Sequence, residues 1–219
     1  MKTYNNFRMT FEEMDESTRA MATFLLTAVG AWFLLAFFGG VLNLFNQPVG
    51  PPFAVGLFLL VPIIGFASTY LLSTRVRHAI DSLPLSVITI SHVLRFVGIG
   101  FVIGAVVNVL PVQFGYSAGL GDIAVAALCL PLAFAIRRRA FSPRLRTAFI
   151  AWNVLGLIDL ISAMTIGVLY TEGSFGVLRT GVSTRLITTF PVNMIPTFFV
   201  PLFILLHMLA LKRSREVTG

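Results

Sequence analysis

Long apolar runs separated by short polar stretches dominate this chain. They fall at residues 20–45, 53–73, 86–108, 119–136, 148–170 and 191–211. Each is close to the ~20 residues a helix needs to cross a hydrocarbon core about 30 Å thick. The pattern predicts an all-α, polytopic transmembrane helix bundle of six spans. A membrane domain over residues 20–211 is expected between an N-terminal segment, residues 1–19, and a basic tail, residues 212–219. The polar breaks carry turn chemistry. NQPVGPP reads as a tight turn after the first span, and RVRHAIDSLP and VLPVQFGYSAGLGD read as loops on either side of the third. Thr10 and Glu13 have the spacing of a capping box for a short helix leading into the first span. The connection between the fifth and sixth spans is long for a compact protein and is expected to dip into the interface.

Composition strengthens this picture. The chain is 57% hydrophobic and only 11% charged, with a mean hydropathy of +0.90. A soluble domain carries about 25% charged residues, so little room remains for an extramembrane domain. The formal charge of +7 does not point to nucleic acid, because the basic residues cluster beside apolar runs and do not line a soluble face. Apart from Arg95, Arg179 and Arg185, every Lys and Arg lies in the N-terminal segment, the second loop, the fourth loop or the tail. Positive residues mark the cytoplasmic side, which places both termini inside. The polar first twenty residues lack the form of a cleavable signal, so the first span is expected to stay in the membrane. A single cysteine, Cys129, allows no intramolecular disulfide and reads as a small packing residue. No internal repeat of the inverted-transporter type is evident.

Candidate chemistry begins with Arg95, which cannot be left facing lipid. At about 1.5 Å per residue it lies roughly 16 Å from the cytoplasmic end of its span, and Asp159 lies roughly 18–20 Å from that end of its own. The two are level, and an opposite charge is the natural partner of a lone charge at that depth. On the fifth span Asn153, Gly156, Asp159, Ala163 and Gly167 form one small or polar stripe that should face other helices. On the third, Gly100 and Gly104 form a small face pointing about 140° away from Arg95, so this helix should be central. Asp122 is expected in the first turn of the fourth span. There it would complement the helix dipole or line an extracytoplasmic entrance.

The histidines suggest a second level. His92 and His207 are expected roughly 12 Å and 8 Å deep on different spans. Two imidazoles at similar height could ligate a b-type haem, or each could simply bond a neighbouring helix. Zinc-protease, redox CxxC and Walker A signatures are missing, and the two lysines, Lys2 and Lys212, fall outside the spans, which excludes a retinal Schiff base.

The elements LPVQFGYSAGLGD, AWNVLGLIDL and IPTFFVPLFILLHMLAL together resemble a loosely defined set of small bacterial polytopic inner-membrane proteins with no established activity. The resemblance implies a bacterial inner-membrane location and no mechanism. The residues themselves favour a protein that binds or transports a small molecule or ion through a polar centre of Arg95 and Asp159, with Asn153 and Asp122 nearby. The alternatives are a membrane cytochrome ligated by His92 and His207, and a non-catalytic accessory subunit docking through its glycine faces. The bilayer is the expected partner, with an unidentified small molecule or ion. A helix-mediated oligomer or partner subunit is the further expectation. No cofactor is expected outside the haem alternative, and no catalytic signature points to an enzyme.

Overall fold

The computed structural model describes residues 15–46, 52–138 and 141–216. The capping box at Thr10 and Glu13 and most of the NQPVGPP turn lie outside them. Among the described residues the chain is an all-α bundle with six helices long and apolar enough to cross a membrane. In chain order the elements are α1 (Glu16–Val41), α2 (Phe53–Leu72), α3 (Thr74–Asp81), α4 (Leu85–Ile90), α5 (Gly98–Val106), α6 (Val112–Arg138), α7 (Pro143–Leu169) and α8 (Val200–Glu216). A 3₁₀ stretch, Ser91–Val97, joins α4 to α5 into the third span, and a π turn, Ile195–Phe199, opens the sixth. The exposed side chains on α1 and α2 are overwhelmingly apolar, as expected of surface that meets lipid.

Several boundaries differ from expectation for identifiable reasons. The first span ends at Val41 because Asn43 adopts a left-handed φ of 58°, and the Leu44 amide turns back to the Gly39 carbonyl at 2.8 Å. RVRHAIDSLP contains a helix, α3, whose first turn is capped by Ser73 Oγ accepting from the Val76 amide; Val76, Ala79 and Ile80 are buried and Arg75 and His78 exposed. The fourth span begins at Val112 rather than Gly119. Its glycines face the third span: a Cβ on Gly115 would lie 2.5 Å from Ala105 Cβ, and one on Gly119 would lie 2.6 Å from the Gly98 carbonyl oxygen. The glycines in this segment therefore mark close helix packing, not a loop.

At one end of the bundle lie the basic residues. Lys212 Nζ donates to the Tyr70 hydroxyl at 2.5 Å, that hydroxyl donates to Asp81 at 2.9 Å, and Arg146 Nε donates to the Ser214 carbonyl at 3.0 Å. These bonds tie α2, α3, α7 and α8 together. At the same end α1 starts on Asp15, whose carboxylate accepts from the Thr18 amide and the Ser17 hydroxyl, and these bonds hold its pKa down at about 2. At the opposite end, the connection after α7 folds back over that helix. Thr184 is buried, its hydroxyl donating to the Gly167 carbonyl at 2.6 Å and its amide to Tyr170 at 3.1 Å. A 3₁₀ turn, Arg185–Thr188, and an Arg185–Glu172 ion pair at 3.5 Å complete that cover.

Candidate functional site

The third span is where the fold departs most from a plain helix, and this departure builds the site. A 3₁₀ helix has about three residues per turn, so residues spaced by three line up along one face. His92, Arg95 and Gly98 are aligned in this way, and all three are buried. An α-helix would rotate His92 and Arg95 apart by about 60°. Gly98 is required beside α6, because a Cβ there would lie 2.5 Å from Asp122 Cβ.

Arg95 is fully buried, and each of the three nitrogens of its guanidinium has a partner. Nε donates to Asp122 Oδ1 at 2.6 Å. Nη2 pairs with Asp159 Oδ2. Nη1 reaches both the Gly156 carbonyl at 3.3 Å and His207 Nε2 at 3.1 Å. Partners thus come from α6, α7 and α8 around the third span. Asp122 and Asp159 keep side-chain exposures of only 10% and 13%, and Arg95 keeps none, so the acids are less completely enclosed than the base.

The expected Arg95–Asp159 pair is present. Asp122, expected at a helix start as a cap, instead lies nearly three turns inside α6 and is the second counter-charge. The division of the centre into two levels does not hold either. Long helical side chains lean toward the N-terminus of their helix, which carries the Arg95 guanidinium toward the histidine level. His207 Nε2 accordingly lies 3.1 Å from Arg95 Nη1, so the histidine and the charged centre share one level. Gly100, expected to face protein, is exposed with nothing near its Cβ position, whereas Gly104 is covered by Leu110 at 2.8 Å.

His207 has a determinable protonation. Asn153 Nδ2 donates to the Phe149 carbonyl at 2.8 Å, so Asn153 Oδ1 is the atom that faces His207 Nδ1 at 2.9 Å and accepts its proton. Arg95 can only donate, so His207 Nε2 is an acceptor. The ring is therefore the neutral Nδ1–H tautomer. His92 is fully buried, and neither of its nitrogens has a hydrogen-bond partner among the described residues. Its ring lies against His207 with centroids 4.0 Å apart, edge-on to Trp152 and beside Phe203. Trp152 is fixed by its Nε1–H donating to the Val125 carbonyl at 3.1 Å.

Axial haem ligation needs a porphyrin between two imidazoles, each presenting a free nitrogen. Here the two rings lie against one another and both His207 nitrogens are engaged, so this arrangement does not fit a haem. No group of three or more His, Cys, Asp or Glu residues is placed to hold a metal among the described residues.

A cleft of about 50 Å³ reaches the centre from the end opposite the basic residues. It runs between α2, α5, α6 and α7 beneath Thr184 and Thr188, and Asp122 is its one charged lining residue. The walls are apolar, formed by side chains such as Phe101, Phe114, Leu160 and Met164.

Close approach at the centre depends on two further glycines. A Cβ on Gly121 would overlap the Asp159 carboxylate, and one on Gly156 would overlap the His207 ring. Gly121 escaped the reading of the sequence because its segment resembled a loop. Gly115, Ser117 and Gly119 also carry the GxSxG spacing of a hydrolase elbow. That stretch is the interior of α6, with Ser117 exposed on the outer surface of the bundle and both glycines packed inward, so it forms no strand-to-helix elbow.

Comparison with known families assigns residues 52–215, about three quarters of the chain, to a domain of unknown function (DUF8737). The chain belongs to that family. The match spans every residue of the charged centre and leaves out α1. No curated protein and no solved structure matches the chain.

Proposed function

We propose that this DUF8737 protein binds and transports a small molecule or ion through the centre formed by Arg95, Asp122 and Asp159. One observation carries the reading. Three charged side chains from three different spans converge in the apolar interior of the bundle, and a cleft lined by one of them, Asp122, extends toward one end. Charges at such depth are costly, and intramembrane ionisable groups commonly mark ion or substrate paths. A buried ion pair that only set helix register would have no need of a second carboxylate or a cleft. Arg95, Asp122 and Asp159 are the binding groups, His207 orients Arg95, and Asn153 orients His207. The bacterial inner membrane is the location we propose, supported by the resemblance of three segments and by the basic clusters at one end.

Ligand-dependent stabilisation tests this reading, since anything that binds only the folded state raises the unfolding temperature by mass action. Purified protein in lipid nanodiscs is heated with lithium, sodium, potassium, ammonium, small amines and small carboxylates in turn, and at a series of pH values. At least one condition is expected to stabilise the parent and not Asp159→Asn. An unfolding temperature insensitive to the whole panel and to pH would overturn the proposal.

A further inference from the structure

Counting charge at the centre gives an imbalance. Arg95 supplies one positive charge and Asp122 and Asp159 supply two negative ones if both are ionised. The other titratable groups facing them are His207 on α8 and His92 on the third span. His207 is neutral by its bonding, and His92 has no acceptor to hold a second proton. The walls contributed by α2 and by the connection after α7 add only apolar and threonine side chains. One negative charge is therefore left over in an apolar interior, where an uncompensated charge costs several kcal/mol or more.

We infer that the ion taken by this centre is a proton, held by one of the two acids, Asp122 or Asp159, and delivered along the cleft that is lined by Asp122. This rests on the binding role proposed above and names its ligand. Arg95 occupies Asp122 Oδ1 and Asp159 Oδ2, which leaves the second oxygen of each acid to accept the proton. The cleft suits a proton better than a bulky solute. At roughly 10–15 Å³ of such space per water molecule, 50 Å³ has room for a few waters at most, with Asp122, Thr184 and Thr188 among its polar lining side chains, and for nothing the size of a metabolite. On the other side of Arg95 the rings of His92, His207 and Trp152 pack against one another and lie in the path toward the basic end. The centre is therefore loaded from one end in this conformation. The proton moves as H⁺ between water and a carboxylate, and no other bond changes.

Infrared spectroscopy of the purified full-length protein in lipid tests the inference, because a protonated carboxyl has a C=O band that an ionised one lacks. At neutral pH the parent is expected to show one buried carboxyl band that shifts in D₂O. In Asp122→Asn and in Asp159→Asn the remaining carboxylate balances Arg95, so both variants are expected to lose the band. In Arg95→Met both acids should be protonated and the band should grow. Circular dichroism and size-exclusion profiles matching the parent establish that each variant is folded. A parent with no such band, or a band that survives in both Asn variants, overturns the inference. Gly167→Leu tests the route. Its side chain would enter the cleft, where a Cβ already meets Ile187 at 3.4 Å and Phe114 at 3.5 Å. Deuterium exchange of the band should slow several-fold, and unchanged exchange in the folded variant rules the cleft out as the path. Stabilisation by a metal cation or amine without any carboxyl band would leave the binding role standing and reject the proton as its ion. A band with no ligand or pH response in the heating series would mark a fixed structural proton and reject both the binding role and the proton as its ion.

Discussion

At the scale of the residue, the charged centre is held by what is missing as much as by what is present. Gly121 and Gly156 lie where the Asp159 carboxylate and the His207 ring press against neighbouring backbone. Adding a methyl group in a filled interior forces side chains off their preferred rotamers, at a typical cost of about 1–3 kcal/mol. Gly121→Ala and Gly156→Ala are each expected to lower stability by about that amount in thermal or chaotrope unfolding. Gly100 is the control. Nothing lies near its Cβ position, so Gly100→Ala should be neutral or stabilising by up to about 1 kcal/mol through reduced backbone entropy. Equal losses at all three sites would show that helix flexibility, not contact, governs these glycines. The sequence made Arg95 and Asp159 legible as partners because depth can be counted along a helix. It placed Asp122 in a first turn and hid Gly121 because a segment holding Gly115, Gly119 and Gly121 looks like a loop when the opposing helix is unknown. Which way a long side chain leans is likewise fixed by its neighbours, and that lean brought Arg95 to His207.

At the scale of the element, two helix ends repeat one device. After Gly39 the chain reads GGVLNLF and after Gly104 it reads GAVVNVL. Asn43 and Asn108 both take φ of 58°, and the next amide returns to the glycine carbonyl, at 2.8 Å from Leu44 and 2.9 Å from Val109. The bulky residue two positions after each asparagine then folds onto the glycine, Phe45 onto Gly39 and Leu110 onto Gly104. Glycine occupies this left-handed position freely, asparagine tolerates it, and a β-branched residue is strained there. Asn108→Gly should preserve stability, while Asn108→Val should cost about 1–2 kcal/mol, read as a lowered unfolding temperature. Equal effects of the two changes would contradict this account of the cap. The same scale explains a miss and its cure. His92, Arg95 and Gly98, in and just after the 3₁₀ stretch, recur every third residue, yet an apolar span is read by default with a period of 3.6. The π turn at Ile195–Phe199 left no comparable trace beyond Pro196 and Pro201.

At the scale of the whole molecule, six spans were legible because lipid imposes a length and an apolar composition on each, independent of how they pack. Their arrangement was not, because association inside a bilayer depends on close contacts between small residues that no single span reveals. Orientation is the remaining global property, and it decides where the cleft opens. Arg75, Arg77, Arg137, Arg138, Arg144 and Arg146 gather at one end, whereas the other end carries Arg179 and Arg185, the latter paired with Glu172. An excess of Lys and Arg in short loops marks the cytoplasmic side, so the cleft should open outward. Substituted cysteines can check this in a Cys129→Ala background, since Cys129 is the protein's own thiol and is buried. Thr74→Cys lies at the exposed start of α3 on the basic end, and Gly181→Cys lies exposed on the opposite cover with open space around it. A membrane-impermeant maleimide applied to bacterial spheroplasts should label Gly181→Cys directly and Thr74→Cys only after permeabilisation. The reverse pattern would turn the bundle over, so that the acids of the centre exchange with the cytoplasm and the packed aromatic rings lie toward the outer side.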